Sequence, residues 1–266
     1  MTFMKVGVVQ FASVLDKAAN LARLVELVDA AAEQGADLVI APEVAMHDLG
    51  PAELDLASVA ESLDGRFVAG VAEVAKRRAV TVLAGMLELA EGRDVYNTVV
   101  ALGPDGSLIG RYRKQHLFDA FGWKESDRLL QGDPEDRLTF PVGDVTVGVM
   151  TCYDVRFPEL GRALVDDGAE LIAIPSAWVA GPRKLEQWRA LTTARAIENV
   201  CYVAGAVQTP PTYAGGSIVV DPWGEVLASL DEAEGIAIAE VSAGRVAECR
   251  QKMPSLQNRR WKVSPR

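Results

Sequence analysis

The stretch Val145-Thr-Val-Gly-Val-Met-Thr-Cys152-Tyr-Asp-Val-Arg-Phe-Pro-Glu-Leu160 changes character at its midpoint. Its first half is short, β-branched and almost wholly apolar, the pattern of a buried strand. Its second half opens a helix, with Pro158 suited to the first helical turn. A strand feeding a helix is the unit of α/β folds, whose chemistry collects at the carboxyl ends of strands. Cys152 falls at that junction. The helix after it is expected to aim N–H groups and partial positive charge at the sulfur, which favours thiolate. Free cysteines are also common as inert core residues, and the local pattern leaves both readings open.

Strand-like runs recur at 5–11, 37–41, 80–89, 96–102, 108–113, 145–151, 170–175, 200–207, 216–220 and 236–241. Helical periodicity separates several of them. Leu21, Leu24, Val25 and Val28 repeat at i, i+3, i+4 and i+7, as do Val68, Val71, Ala72 and Ala75. A third helix is expected over 184–198, with Leu185, Trp188, Leu191 and Ile197 near one face. Gly103-Pro-Asp-Gly106 and Asp221-Pro-Trp-Gly224 read as tight turns between strands. Helix-linked strands together with hairpins predict an α/β fold of two mixed sheets covered by helices. No long linker or repeat interrupts the 266 residues, so one domain spanning 1–266 is expected. The tail from about 245 to 266 carries charges and Trp261 without a clear period, and packing on a partner subunit or on its own domain are both open to it.

The net charge of −10 disfavours binding to a phosphate backbone, so no nucleic-acid partner is expected. The one basic cluster, Arg111-Tyr-Arg-Lys114, reads as a solvated strand face. The N-terminus shows no signal-peptide pattern and no apolar run reaches membrane-spanning length. Cys152, Cys201 and Cys249 form no close pair, which suits a reducing cytoplasm. Cys201 lies in an apolar strand and reads as core. His47 and His116 have no zinc-type spacing, so no metal or cofactor is expected.

Two more polar residues end strand-like runs. Ala36-Asp-Leu-Val-Ile-Ala-Pro-Glu43 places a carboxylate just past an apolar strand, and Ile109-Gly-Arg-Tyr-Arg-Lys114 places a lysine after another. Each alone is usually a solvated surface group. Together with Cys152 they supply a nucleophile, a general base and a cation able to stabilise an oxyanion.

These stretches resemble the nitrilase superfamily of carbon–nitrogen hydrolases, with its Glu–Lys–Cys triad. The matching segments are Ala41-Pro-Glu43, Tyr112-Arg-Lys114-Gln-His-Leu-Phe118, Thr151-Cys152 through Leu160, Pro175-Ser-Ala-Trp178, Arg195-Ala-Ile-Glu-Asn199 and Gly215-Gly-Ser through Gly224. The resemblance implies a four-layer αββα sandwich of two six-stranded sheets and a paired, homodimeric assembly. It maps the catalytic glutamate onto Glu43, the lysine onto Lys114 and the nucleophile onto Cys152. A further family glutamate matches Glu125 in Gly122-Trp-Lys-Glu-Ser126, which on its own also reads as a surface carboxylate beside Lys124. Tyr153, Ser176, Ala177 and Trp178 are expected to line the pocket, and Asp154 to support the turn. Arg156 is assigned either to a substrate carboxylate or to an ion pair with Glu159 or Glu198.

The cysteine segment is most similar to the Nit branch, which implies an amidase acting through a thioester on a small carboxylate-bearing amide. ω-Amidases and amidases of deaminated glutathione belong to that branch. Many relatives carry an aromatic residue two positions after the first glutamate. Ala45 stands there in this chain, which predicts a wider pocket wall and keeps N-carbamoyl amino-acid hydrolysis and nitrile hydrolysis open. A non-catalytic oligomeric binding protein on the same fold is the alternative of another class.

Overall fold

The computed structural model of the chain describes residues 3–265. In chain order the elements are β1 (Met4–Gln10), α1 (Lys17–Glu33), β2 (Leu38–Ile40), α2 (Arg66–Arg78), β3 (Thr81–Leu89), β4 (Val95–Leu102) and β5 (Leu108–Arg113). Then follow β6 (Thr139–Val142), β7 (Val145–Val149), α3 (Pro158–Asp166), β8 (Leu171–Ser176), α4 (Lys184–Asn199), β9 (Tyr202–Val207), β10 (Ile218–Val220), β11 (Val226–Ser229), β12 (Gly235–Val241) and α5 (Ala243–Lys252). They build two six-stranded sheets, ordered β12-β1-β2-β3-β4-β5 and β11-β10-β9-β8-β7-β6. Both are mixed. β1, β2 and β3 run parallel, as do β7, β8 and β9, while the flanking pairs are antiparallel.

The side-chain alternation of the strands explains the four layers. In β1 and β2, Val6, Val8, Leu38 and Ile40 face the second sheet and share a core with Val149, Ile172 and Val203. Val9, Val39 and Ala41 face the other way and pack with Leu24 and Val28 of α1 and Val71 of α2. Helices α3 and α4 cover the outer face of the second sheet, bringing Leu160, Leu164 and Trp188 into its core. Central strands are therefore buried on both faces, which is why they read as near-continuous apolar runs. Among the described residues, no helix is long and apolar enough to cross a membrane.

Three features depart from the sequence reading. Strands β6 and β11 were not anticipated, and they are the two edges of the second sheet. One carries Pro141, and the other leaves Val226 and Leu227 exposed, so neither shows the pattern of a buried strand. The segment after Arg245 is not patternless either. Ser242 accepts from the Arg245 N–H and caps α5, which buries Val246 and Cys249. Arg250 then donates to the carbonyls of Val200 and Ala169, fixing α5 to its own chain. Finally, the arginines of β5 are not a solvated face. Arg113 makes two hydrogen bonds to the buried Glu88 and stacks on Tyr96, and Arg111 pairs with Asp136.

Candidate active site

The topology places four strand ends together. β5 runs in the direction of β2, because two antiparallel pairings separate it from β3, so Glu43 and Lys114 leave the same end of the first sheet. Cys152 follows β7, and Ala177 and Trp178 follow the parallel strand β8. These residues line one cavity of about 860 Å³, together with Glu125, Tyr153 and Lys184. Its size is that of a small-molecule site.

Glu43 is 3% exposed and held from several sides. Its Oε1 accepts from Lys114 Nζ at 2.9 Å and from Asn97 Nδ2 at 2.7 Å, and its Oε2 accepts from the Ala177 N–H at 2.6 Å. Gln208 Nε2 donates to the Glu43 carbonyl at 2.9 Å. The chain here passes directly over Gly85 of β3. A Cβ at position 85 would stand 2.6 Å from Glu43 Cα and 2.5 Å from Val44 N, so only glycine fits beneath the carboxylate-bearing loop.

Lys114 Nζ also donates to both oxygens of Glu125, at 3.0 and 2.7 Å. Glu125 opens a short 3-10 turn, and its side chain is 7% exposed. Its Oε2 accepts from the Phe118 N–H at 2.6 Å, which ties the turn to the segment that follows Lys114. Asn97 Nδ2 reaches Glu125 as well, at 3.2 Å, and so bridges the two carboxylates. Burial alone would depress the Lys114 ammonium. The charges of Glu125 and Glu43 outweigh it and hold the group well above the ordinary lysine range.

Cys152 adopts φ 48°, a left-handed conformation that is costly for a non-glycine residue and recurs at functional sites. Asp154, fully buried, fixes this turn. Its Oδ2 accepts from the Thr151 N–H at 2.9 Å and from Tyr112 Oη at 2.7 Å. Its Oδ1 accepts from the His116 N–H at 3.0 Å and lies 2.7 Å from His116 Nδ1. His116 in turn stacks on Phe157, with ring centroids 3.7 Å apart. The turn supporting the cysteine is thus anchored to the lysine-bearing segment.

The electrostatics of Cys152 correct the expectation of a thiolate. Helix α3 begins at Pro158, and a 3-10 turn over Cys152–Arg156 intervenes, so the sulfur is not at the N-terminus of that helix. Burial, reinforced by the neighbouring Glu43 carboxylate, pushes the Cys152 thiol well up, although Lys114 opposes the shift. A charge count gives the same answer. With Lys114, Glu43 and Glu125 ionised, a thiolate would add a second net negative charge to a buried cluster.

Other expectations are redistributed. Tyr153, Ala177 and Trp178 do line the cavity. Ser176 is fully buried behind that wall, with its hydroxyl turned to the Ile174 carbonyl, because its strand position alternates with that of Ala177. Arg156 pairs with neither Glu159 nor Glu198. It donates to Gln187 Oε1 at 2.6 Å and leans over the Trp178 ring, while Glu198 belongs to Arg195. Ala45 is fully buried in the core beneath α1 and α2, so it does not widen the pocket. Cys201 is core, with its thiol pushed up to about 12 by burial. The roles of Asn97 and Gln208 escaped the sequence reading. A lone amide in the apolar strand Val95–Leu102 was the available signal for Asn97.

The sequence matches the carbon–nitrogen hydrolase family over residues 5–251. It is 36% identical over 261 residues to the deaminated glutathione amidase of Escherichia coli O157:H7, covering 97% of this chain and 98% of that protein. It is 35% identical over 256 residues to the omega-amidase NIT2 of Mus musculus, covering 92% of this chain and 90% of that protein. Among solved structures, Nit3 of Saccharomyces cerevisiae, a member of branch 10 of the nitrilase superfamily, superposes with a TM-score of 0.87 at 29% identity, covering 97% of each chain. The fold, the strand-end cluster and these similarities together assign the chain to the carbon–nitrogen hydrolase family of the nitrilase superfamily.

Proposed function

We propose that this chain is a cysteine-dependent amidase that converts a small carboxylate-bearing amide to its acid and ammonia through a thioester on Cys152. The observation that carries the reading is the buried Lys114, held between Glu43 and Glu125 on the cavity wall that it shares with Cys152. The names of the amidase relatives support the amide class.

In the first half-reaction Glu43 takes the Sγ proton as sulfur attacks the amide carbon. The carbonyl π pair moves to oxygen, and the oxyanion is met by the Lys114 ammonium and the Tyr153 N–H. Collapse breaks the C–N bond, Glu43 returns its proton to nitrogen, and ammonia leaves. In the second half-reaction Glu43 deprotonates a water that attacks the thioester. The C–S bond breaks, the acid departs and the thiol regains its proton. Glu125 orients Lys114 throughout. The thiol therefore needs no prior ionisation, which accords with its raised pKa.

The chain is proposed to act as one hydrolase domain over 1–266, in the cytoplasm, and as a homodimer with the tail beyond 245 at the contact. The exposed Met253 and Trp261 support that placement, and sedimentation of the full chain against one ending after α5 tests it. An ammonia-release panel tests the activity itself. It comprises 2-oxoglutaramate, deaminated glutathione, aliphatic amides, N-carbamoyl amino acids and nitriles, with Cys152→Ala as blank. Turnover of the carboxylate-bearing amides is expected. Preferred turnover of N-carbamoyl amino acids with release of carbon dioxide, or of nitriles, replaces this reading.

A further inference from the structure

Lys184, the first residue of α4, is 8% exposed and lines the cavity that holds Cys152 and Glu43. Its surroundings differ from those of Lys114. Where Lys114 is paired with two carboxylates, Lys184 Nζ stands over aromatic rings, 4.4 Å from the centroid of Trp178, 5.2 Å from Phe118 and 5.4 Å from Phe121. Among the described residues the ammonium itself forms no hydrogen bond and no ion pair. Ring faces attract the cation but provide no acceptor lone pairs for its three N–H groups. Burial therefore holds the ammonium below the ordinary lysine range, against the proximity of Cys152 and with the help of Arg156.

The cage is anchored at Trp178, which is 2% exposed. Trp178 Nε1 donates to the Lys184 carbonyl at 2.8 Å, so the ring that approaches the ammonium most closely is also tied to its backbone. The other cations near the wall have partners: Arg128 donates through Nη2 to the carbonyls of Leu49 and Leu54, with its buried Nε left unpaired, Arg156 donates to Gln187, and Lys124 pairs with Asp127. Among the described residues Lys184 is the cavity-lining cation whose side chain has neither a hydrogen bond nor an ion pair. A buried ammonium without a counter-ion becomes favourable when an anion is brought to it.

We propose that Lys184 is the specificity-determining residue that binds the substrate's carboxylate while Cys152 attacks the amide at the other end of the same molecule. This inference rests on the amidase reading above. The aromatic cage holds the ammonium in place, so the anion meets a pre-oriented partner. The substrate class that follows is a short-chain ω-amide of a carboxylic acid. The assignment moves carboxylate recognition from Arg156, which the sequence had offered, to the start of α4.

The test compares glutaramate with its methyl ester, which keeps the amide and lacks the charge. Wild-type protein is expected to prefer the acid. Lys184→Met, which preserves the aliphatic stem inside the cage, is expected to raise KM for glutaramate about 10- to 100-fold and to leave the ester within about threefold. Lys184→Arg is expected to retain most of the preference. Lys184→Gln replaces the Met variant if the latter does not fold. A variant that keeps the wild-type ratio of acid to ester, or a wild type without preference, overturns the inference. If wild type releases ammonia from neither compound, the amidase reading is what fails, and protection of Cys152 then decides. Glutarate is expected to slow iodoacetamide alkylation of Cys152 in wild type and not in Lys184→Met; equal protection in both, or none in wild type, overturns the role of Lys184.

Discussion

Lys114 Nζ lies 2.9 Å from Glu43 Oε1, and the two side chains are 2% and 3% exposed. Such a pair is costly to desolvate, and removing one member leaves the other charge uncompensated. Here the lysine is shared with Glu125 and the glutamate with Asn97 and the Ala177 N–H, so each charge has several partners. Burial, reinforced by the net negative cluster that results, pushes the Cys152 thiol up, and in the proposed mechanism Glu43 is the recipient of its proton.

The pH dependence of Cys152 reactivity follows. An ordinary thiol ionises near pH ~8.5. Because burial and Glu43 raise Cys152, its alkylation by iodoacetamide in the substrate-free protein is expected to keep accelerating above that pH. Glu43→Gln removes the neighbouring negative charge, so the alkylation midpoint is expected to move down while amide turnover falls by about two to four orders of magnitude. A midpoint unchanged by the substitution contradicts the assigned cause.

Glu125→Gln tests the second carboxylate. The amide keeps the size of the side chain and removes the charge that faces Lys114 and the Phe118 N–H. Turnover is expected to fall about 10- to 1000-fold, mostly in kcat, because the proposed oxyanion donor is misplaced rather than deleted. Unchanged kcat measured by ammonia release would reduce Glu125 to a structural carboxylate.

Asp154→Asn probes the support beneath Cys152, the proposed nucleophile. One carboxylate serves Thr151, Tyr112 and His116, and an amide retains only one acceptor oxygen for them. A loss of about 1–3 kcal/mol in urea-induced unfolding is expected, together with slower thioester formation. Full stability with full activity would show that the turn at Cys152 is held by other contacts.

Gly85→Ala tests the close passage of the segment after β2 over the middle of β3. The added methyl meets Pro42 O, Glu43 Cα and Val44 N at 2.5–2.7 Å, all of them backbone atoms that cannot step aside singly. The expected outcome is a folded or weakened protein with Glu43 displaced, its activity at least about tenfold down. Wild-type kinetics would mean that the loop tolerates a shift without consequence.

Strand ends were the legible part of this site. Glu43, Lys114 and Cys152 each follow an apolar run, so local pattern alone placed them at the rims of sheets, and motif resemblance joined them. Edge strands β6 and β11 were illegible because half of their surface faces solvent or carries a proline. Asn97 and Gln208 act on Glu43 across 54 and 165 residues, a proximity that only the tertiary fold creates. The sign of the Cys152 shift was misread for the same reason. The local helix effect was visible in the sequence, whereas the carboxylates delivered from β2 and from the Glu125 turn were not. Lys184 looked like an ordinary helix start, since the lack of a counter-ion is a property of the folded cavity.

The covalent role of Cys152 is the central claim, and intact-mass spectrometry during turnover of a slow amide tests it most directly. The account predicts a transient mass increase equal to the acyl group, located on the peptide bearing Cys152, and neither adduct nor ammonia from Cys152→Ala. Wild-type hydrolysis by Cys152→Ala, with no acyl adduct on the parent protein, would contradict it.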